Sequence, residues 1–522
     1  MPLSKKLLKS AAVVSSMTMI SRLLGFARDM VFARIFGADA ATDAFFLAFK
    51  IPNFLRRLFA EGAFSQSFVP VFTDYKENRG EIELKLLIDN VAGTFGTVLF
   101  TVSLAGVIAA PLLIMAFGPG FIGDPGKYEL AVDMLRITFP YLFFISLVAF
   151  SGGILNSYNQ FAAPAFTPVF LNVVFISMAF WATPLFDKPV MALAWAVFIA
   201  GCVQLMFQFP FLHKLKMLPR PRWDWHHPGV QRIRNLMLPA IFGSSVVQIN
   251  LLFDTLIASF LVTGSISWLY YSDRLVEFPL GLLGIALGTV ILPKLSKDHA
   301  TESPEKFSHT MDWALRSAFV VGLPSAVGLI CLAAPMLATL FHSGHFSTDD
   351  VIMSSYSLIA FSFGLMGFIL VKVLAPGFYA RQDTKTPVKI GIKAMITNMF
   401  LNVLFVVPLV KSGFHGAHTG LALATSMSSY LNAFLLFHTL RKQQLFRPDK
   451  GWLKLLFQIG FACTFMAISI LYFRPELASW LSMRTTEKVL TLLMLVVLGF
   501  CVYLLSMLAT GFKLKSLYRL ND

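Results

Sequence analysis

Charge is what this chain of 522 residues has least of: Asp, Glu, Lys and Arg together make up 14%, against roughly a quarter in an ordinary soluble domain. The complement is 56% hydrophobic residues, 53 of them Phe, more apolar surface than a water-soluble core of this length hides. A soluble globular fold is thereby excluded. Cysteine is almost missing as well. Cys202, Cys331, Cys463 and Cys501 each stand alone in an apolar stretch, which fits packing residues and excludes a disulfide framework. No nucleophile elbow, phosphate-cradling loop or dinucleotide fingerprint occurs, so neither an ATP-driven pump nor a soluble-type enzyme is supported. His342, His345, Asp349 and Asp350 in "HSGHFSTDD" are too irregularly spaced to read as a metal site.

What is present is a series of long uncharged windows, such as "AGTFGTVLFTVSLAGVIAAPLLIMAF" and "VLTLLMLVVLGFCVYLLSMLA". At about 20 residues each they are long enough to cross the hydrocarbon as helices, whereas barrel strands would be half as long and alternate. The expected fold is an all-α polytopic membrane protein of about 14 spans. They lie near 12–36, 43–72, 87–116, 131–156, 164–184, 190–213, 236–262, 266–294, 312–340, 352–380, 386–409, 416–440, 453–473 and 487–511. Lys5, Lys6 and Lys9 lead into the first span with no small-residue cleavage site, so no cleaved signal peptide is expected. Basic loops, among them "HKLKMLPRPRWDWHHPGVQRIR" and "RKQQLFRPDK", alternate with non-basic ones such as "GADAATD" and "HSGHFSTDD". The positive-inside rule then puts both termini in the cytoplasm. The net charge of +15 is mostly this basic fringe, which faces anionic membrane lipids and is no nucleic-acid footprint.

A weak internal repeat divides the chain. "FVP" ending at Pro70 pairs with "ILP" ending at Pro293, and "NSYNQFAAP" ending at Pro164 with "YARQDTKTP" ending at Pro387, both 223 residues apart. Two six-helix halves around a central cavity are expected, at 1–225 and 226–448, followed by a C-terminal helix pair at 449–522. An even number of spans per half makes the repeat parallel, an arrangement common in transporters.

Three spans carry charges that an apolar helix should not. "SRLLGFARDMVFARIF" holds Arg22, Arg28, Asp29 and Arg34; "KIPNFLRRLFAEGAF" holds Lys50, Arg56, Arg57 and Glu61; "WLYYSDRLVEFPLGLLG" holds Asp273, Arg274 and Glu277. Each costs roughly 2.5 to 3.5 kcal/mol at mid-bilayer unless it faces protein or water. Asp273 and Glu277 share a face at i, i+4, and Arg274 neighbours Glu277 at i+3. Internal salt bridges are the alternative to function, and for Arg57 with Glu61, and for Arg34 near a span end where it can snorkel, the two readings stand level. Six Arg and one Lys against four carboxylates nevertheless leave a positive excess that needs an anionic partner from outside the chain. The planar arginine fork matches phosphate oxygens, so a phosphorylated ligand is the natural one, with Lys372 a further cation. The glycines of "GLLGIALG" and "SGG" read as close helix packing or as hinges.

At these stretches, and at "SFVPVF", "ILPKLSK" and "VKVLAPGFYARQDTKTPVK", the sequence resembles the MurJ (MviN) family of bacterial lipid II flippases, in the multidrug/oligosaccharidyl-lipid/polysaccharide exporter superfamily. The resemblance runs essentially end to end. It implies a non-enzymatic transporter in the bacterial inner membrane that carries undecaprenyl-diphosphate-linked disaccharide pentapeptide from the cytoplasmic to the periplasmic leaflet by alternating access, alongside other cell-wall synthesis proteins. The family's cavity arginines match Arg22, Arg28, Arg56 and Arg274, with Ser21, Asp43, Glu61, Asp273, Glu277 and Lys372 as supporting substrate-binding matches. The last two spans are implied to line a groove for the polyprenyl tail. No other cofactor is implied, but some members bind Na⁺, and Asp254, Asn398, Asn402 and Thr425 stand at the matching positions. Asn402 replaces a carboxylate found in sodium-binding relatives, which leaves polar helix packing as an equal reading.

Other readings make different demands. An exporter of another polyprenyl-diphosphate-linked glycan would share the arginines. A drug/cation antiporter would line its cavity with carboxylates, against the arginine excess here. A membrane glycosyltransferase would place a catalytic carboxylate on a sizeable extracytoplasmic loop, and no non-cytoplasmic loop much exceeds about a dozen residues.

Overall fold

The computed structural model describes residues 5–58, 64–301 and 303–513, the side chains of 5–12, 242–247 and 282–290 excepted. Among the described residues there is no strand. The chain forms two compact units, Met1–Ile266 and Ser267–Asp522.

The first unit contains α1 (Lys5–Phe36), α2 (Ala40–Arg56), α3 (Ser65–Asn78), α4 (Gly80–Ile108), α5 (Ala110–Phe117), α6 (Pro125–Thr138), α7 (Tyr141–Ser157), α8 (Ala162–Trp181), α9 (Met191–Lys214) and α10 (Pro228–Ser259). The second contains α11 (Ser265–Ala300), α12 (Pro304–Leu340), α13 (Thr348–Leu374), α14 (Pro376–Tyr379), α15 (Lys385–Lys411), α16 (Thr419–Lys442), α17 (Trp452–Phe473), α18 (Leu477–Ser482) and α19 (Thr485–Ala509). Ten helices among the described residues are long and apolar enough to cross a membrane. The other four expected spans correspond to α1, to α2 with α3, to α10 and to α11. α1 and α2 carry the charges noted above, and α10 and α11 run through the side chains left undescribed.

Several apolar runs that read as single spans are broken in the backbone. The 131–156 run becomes α6 and α7, which part at Phe139–Pro140, and α13 gives way to α14 at Ala375–Pro376. Proline has no N–H to donate and its ring crowds the preceding turn. The α6 boundary also differs from expectation: Lys127, which the sequence places in a loop, lies inside the helix. The non-basic loops cap helices. Asp39 accepts a bond from the Thr42 amide at 2.8 Å, Asp124 from the Lys127 amide at 3.2 Å, and Ser347 with Asp350 forms a reciprocal capping box on α13. An acidic side chain at a helix N-terminus satisfies orphan N–H groups and complements the macrodipole.

Lipid gives helices no hydrophobic incentive to associate, so close packing must hold them. In the first unit α8 lies between α1 and α9, and α2 packs on α6. Phenylalanines fill the contacts: Phe64 stacks on Phe95 with centroids 4.3 Å apart, and Phe32 meets Phe175 edge-on at 5.1 Å. The basic segment after α9 crosses α4 as a strap. The Arg222 amide donates to the Asp89 carbonyl at 2.9 Å, the Arg220 amide to the Asp89 carboxylate at 2.7 Å and the Asp224 amide to Thr94 Oγ1 at 3.2 Å. Only glycine permits this crossing, since a Cβ on Gly93 would stand 2.1 Å from the Arg222 carbonyl oxygen.

In the second unit α13 lies between α12 and α16. Ser426 Oγ donates across to the Ala360 carbonyl at 2.7 Å and Ser429 Oγ to that of Gly364 at 3.3 Å, the small-residue packing that membrane helices favour. α17 is pinned to α12 through buried Asp312, which accepts from Arg316 Nε at 2.5 Å and from Trp452 Nε1 at 2.7 Å.

The 223-residue offset recurs in the backbone. Asn159 and Gln382 both adopt φ 60°, the Gln160 and Asp383 amides both reach five residues back, to Leu155 and Phe378, and α8 and α15 both start two residues before Pro164 and Pro387. The second copy adds a carboxylate where the first has Gln160. Thr386 hydrogen-bonds to Asp383, through its side chain first and its amide second, and holds that carboxyl below its usual pKa.

Candidate functional site

α1 carries two buried charges, Arg28 and Asp29. Arg28 is 7% exposed. Its Nε and Nη2 donate to Asp29 Oδ1 at 2.9 and 2.7 Å, and its Nη1 donates to Asn172 Oδ1 on α8 at 3.1 Å. The guanidinium lies 5.5 Å from the Phe32 ring centre and 5.4 Å from that of Phe175. An arginine side chain on a helix leans toward the N-terminus, so Arg28 reaches back toward the turn of Ser21. There Asn172 Nδ2 donates to the Ser21 carbonyl at 3.0 Å. One asparagine thus joins Ser21 and Arg28. Arg22, six residues before Arg28, is exposed, and helical geometry puts it about 120° round from Arg28.

On α2, Arg56 is half-buried and its Nε donates to Asn53 Oδ1 at 2.8 Å. Lys50 Nζ donates to Thr255 Oγ1 on α10 at 2.5 Å. Asp43 sits one turn into α2 and is 1% exposed. It accepts from Lys127 Nζ at 3.0 Å and from the Gly264 amide at 2.8 Å, and Lys127 lies 4.3 Å over the Phe121 ring. Its charge is therefore answered by a lysine from α6. Glu61 lies outside the described residues.

In the second unit Arg274 Nη1 donates to Glu277 Oε2 at 2.7 Å, the i, i+3 neighbour expected, while its guanidinium lies 4.9 Å from the Tyr270 ring centre. Asp273 and Glu277 are exposed on α11, and Lys372 is exposed on α13. Arg274 itself is half-buried. The geometry offers a fork-shaped cation, Arg274, beside a carboxylate that water or a ligand can replace.

The candidate cation residues fall in both units. Asp254 is half-buried on α10 of the first. In the second, Asn398 and Asn402 are fully buried and already bonded: Asn402 Nδ2 donates to Asn398 Oδ1 at 3.0 Å, and Asn398 Nδ2 donates to Thr425 Oγ1 at 3.2 Å. Neutral oxygens suit a hard monovalent ion by chemistry, but an ion taking the Asn398 oxygen must displace Asn402. His342 and His345 do not join a metal cluster, and among the described residues no such cluster occurs; Asp350 instead caps α13 and accepts from Trp268 Nε1 at 2.7 Å.

Three contributors escape a sequence reading: Asn172, Lys127 and Asn53. The only signal for Asn172 is one amide inside an otherwise apolar helix, "AAPAFTPVFLNVVFISMAFW". Lys127 is hidden by its place in a glycine-rich loop sequence.

Comparison with known proteins agrees with the charge pattern. The family profile described as "Lipid II flippase MurJ" matches residues 32–491. A Vibrio cholerae protein described as a probable lipid II flippase MurJ is 50% identical, covering 98% of this chain and 98% of its own. Among solved structures, a lipid II flippase MurJ in an inward closed conformation superposes with TM-score 0.81 at 27% identity, over 97% of this chain and 100% of that one. An inward-facing multidrug resistance MATE family transporter of the MOP superfamily shares the fold with TM-score 0.68 at 16% identity, over 83% and 98% of the two chains.

Proposed function

Because the chain belongs to the MurJ family of lipid II flippases, we propose that it moves lipid II from the cytoplasmic to the periplasmic leaflet of a bacterial inner membrane by alternating access. It is a transporter, not an enzyme. The observation that carries this reading is that the charged helices hold arginines whose carboxylate partners stand beside them, Asp29 for Arg28 and Glu277 for Arg274.

An unpaired cation inside the membrane is costly. A guanidinium that exchanges a carboxylate for a diphosphate oxygen, and returns to the carboxylate on release, is never left unpaired. Arg22, Arg28, Arg56 and Arg274 supply bidentate forks for the diphosphate. Ser21, Asp43, Glu61, Asp273, Glu277 and Lys372 belong to the walls that receive or orient it, Asp43 through its pair with Lys127. In this reading the halves 1–225 and 226–448 alternate access, residues 449–522 guide the polyprenyl tail, both termini are cytoplasmic, and the product passes to the periplasmic enzymes of cell-wall synthesis. Na⁺ is proposed as a coupling ion held by Asp254, Asn398, Asn402 and Thr425, an ion that binds only the folded protein and so raises its melting temperature. Asp254→Ala should abolish a Na⁺-dependent rise in melting; a wild-type protein indifferent to Na⁺ assigns these residues to packing.

The test of transport is depletion of the protein in growing cells followed by measurement of lipid II in each leaflet. Accumulation in the cytoplasmic leaflet is expected, and an unchanged distribution would remove the proposal. Single cysteines at Asp224 and Asp349, in a variant without other cysteines, should label from the cytoplasm and the periplasm respectively.

A further inference from the structure

We infer that Asn172 is a positioning residue for transport: it holds the Arg28 guanidinium in the plane in which it meets the diphosphate, without cancelling its charge. The inference rests on the flippase reading above and adds to it a residue on a different helix.

The amide orientation follows from chemistry. Guanidinium nitrogens only donate and a backbone carbonyl only accepts, so Asn172 Oδ1 must face Arg28 Nη1 (3.1 Å) and Nδ2 must face the Ser21 carbonyl (3.0 Å). Asn172 is 6% exposed and both ends of its amide are engaged. Gly25 lies on α1 between the two anchor points, and a Cβ there would sit 3.7 Å from both the nitrogen and the oxygen of the amide. The asparagine therefore rests over the turn that separates Ser21 from Arg28. One turn further along α8, Phe175 flanks the same guanidinium. α8 thus supplies both an in-plane acceptor and a flanking ring.

The residue type matters. Asp29 already offers one negative charge to the Nε–Nη2 edge, the edge a phosphate would take in exchange. A carboxylate at position 172 would bring a second charge, and an entering diphosphate would meet a site one unit more negative. A neutral amide fixes the Nη1 corner and leaves the cation's charge for the ligand. The rival explanation is that Asn172 is only polar glue between α1 and α8.

The two explanations order the variants differently. Asn172→Ala and Asn172→Asp both lose the donor to Ser21, but only the aspartate keeps an acceptor for Arg28. In the full-length purified protein without ligand, Asn172→Asp should melt at or above Asn172→Ala. Lipid II binding should run in the opposite order: weaker by about tenfold for Asn172→Ala, the size of one hydrogen bond to a charged group, and weaker still for Asn172→Asp. In an Arg28→Lys background, Asn172→Ala should cost less than about twofold, because the fork it positions is gone. Affinities that follow the melting order, or an undiminished loss in the Arg28→Lys background, overturn the inference in favour of packing. Wild-type protein that fails to bind lipid II overturns the flippase reading itself; wild type and all Asn172 variants binding alike overturns only the role of Asn172.

Discussion

Arg28 and Arg274 are the same side chain in opposite settings. Arg28 is enclosed, with Asp29, Asn172 and two phenylalanines around it. Arg274 keeps 31% of its side chain exposed and pairs with a Glu277 that is 47% exposed. Arg28 is built into the packing of α1 against α8, whereas Arg274 pairs within its own helix at a partly exposed position. The contrast teaches that burial, not charge alone, decides what a substitution reports: removing the first disturbs fold and function together, while removing the second isolates function.

The largest expected difference follows from this. Arg28→Ala removes a charged partner from buried Asp29 and should cost about 3 to 5 kcal/mol of stability, whereas Arg274→Ala should stay within about 1 kcal/mol. Both should fail to support growth of a depleted strain. Melting of the purified variants, set beside complementation at matched membrane levels, makes the separation; equal melting of the two would erase the comparison.

Asp43 and Lys127 extend it to a pair buried on both sides. Lys127→Met alone should destabilise by about 3 kcal/mol, and adding Asp43→Leu should restore most of that loss, since the double substitution leaves no orphaned charge. If Asp43 also touches the ligand, the double variant will be stable but inactive. Failure of the double variant to regain stability would deny the pair its structural role. A smaller effect is expected at the strap. Gly93→Ala drives a methyl group into the Arg222 backbone and should cost about 1 to 3 kcal/mol by overpacking, read as lower melting and faster proteolysis between residues 215 and 227.

The smallest effect distinguishes the two related turns. Asp383 has a lowered pKa in the folded state, so its contribution to stability is present above the unfolded carboxyl pKa and is lost as pH falls through the folded value. The turn before α15 should therefore loosen at pH below about 4, as seen by hydrogen exchange, while the turn at Gln160 stays unchanged. Asp383→Asn should remove that acid sensitivity.

Much of this was legible from composition and local spacing. Long uncharged runs announced a helical membrane protein, and the arginines of α1, α2 and α11 stood out because apolar helices seldom carry them. Arg274 with Glu277 was readable because its partners are three residues apart. Arg28 was readable as a charge but not as a seat, because Asn172 lies 144 residues away and a single amide in an apolar helix gives little signal. Lys127 escaped for the same reason, 84 residues from Asp43, in a stretch whose glycines and proline suggest a loop but whose Asp124 starts a helix. The division of apolar runs at Pro140 and Pro376 shows that an apolar run defines a span, not an unbroken helix.

The most direct measurement is transfer of lipid II across vesicles containing purified protein, comparing wild type with the Arg28→Ala, Arg274→Ala double variant reconstituted to the same density. Wild-type vesicles should move lipid II between leaflets, and the double variant should move it no faster than protein-free vesicles. Transfer by the double variant at the wild-type rate would contradict the claim that these arginines grip the diphosphate.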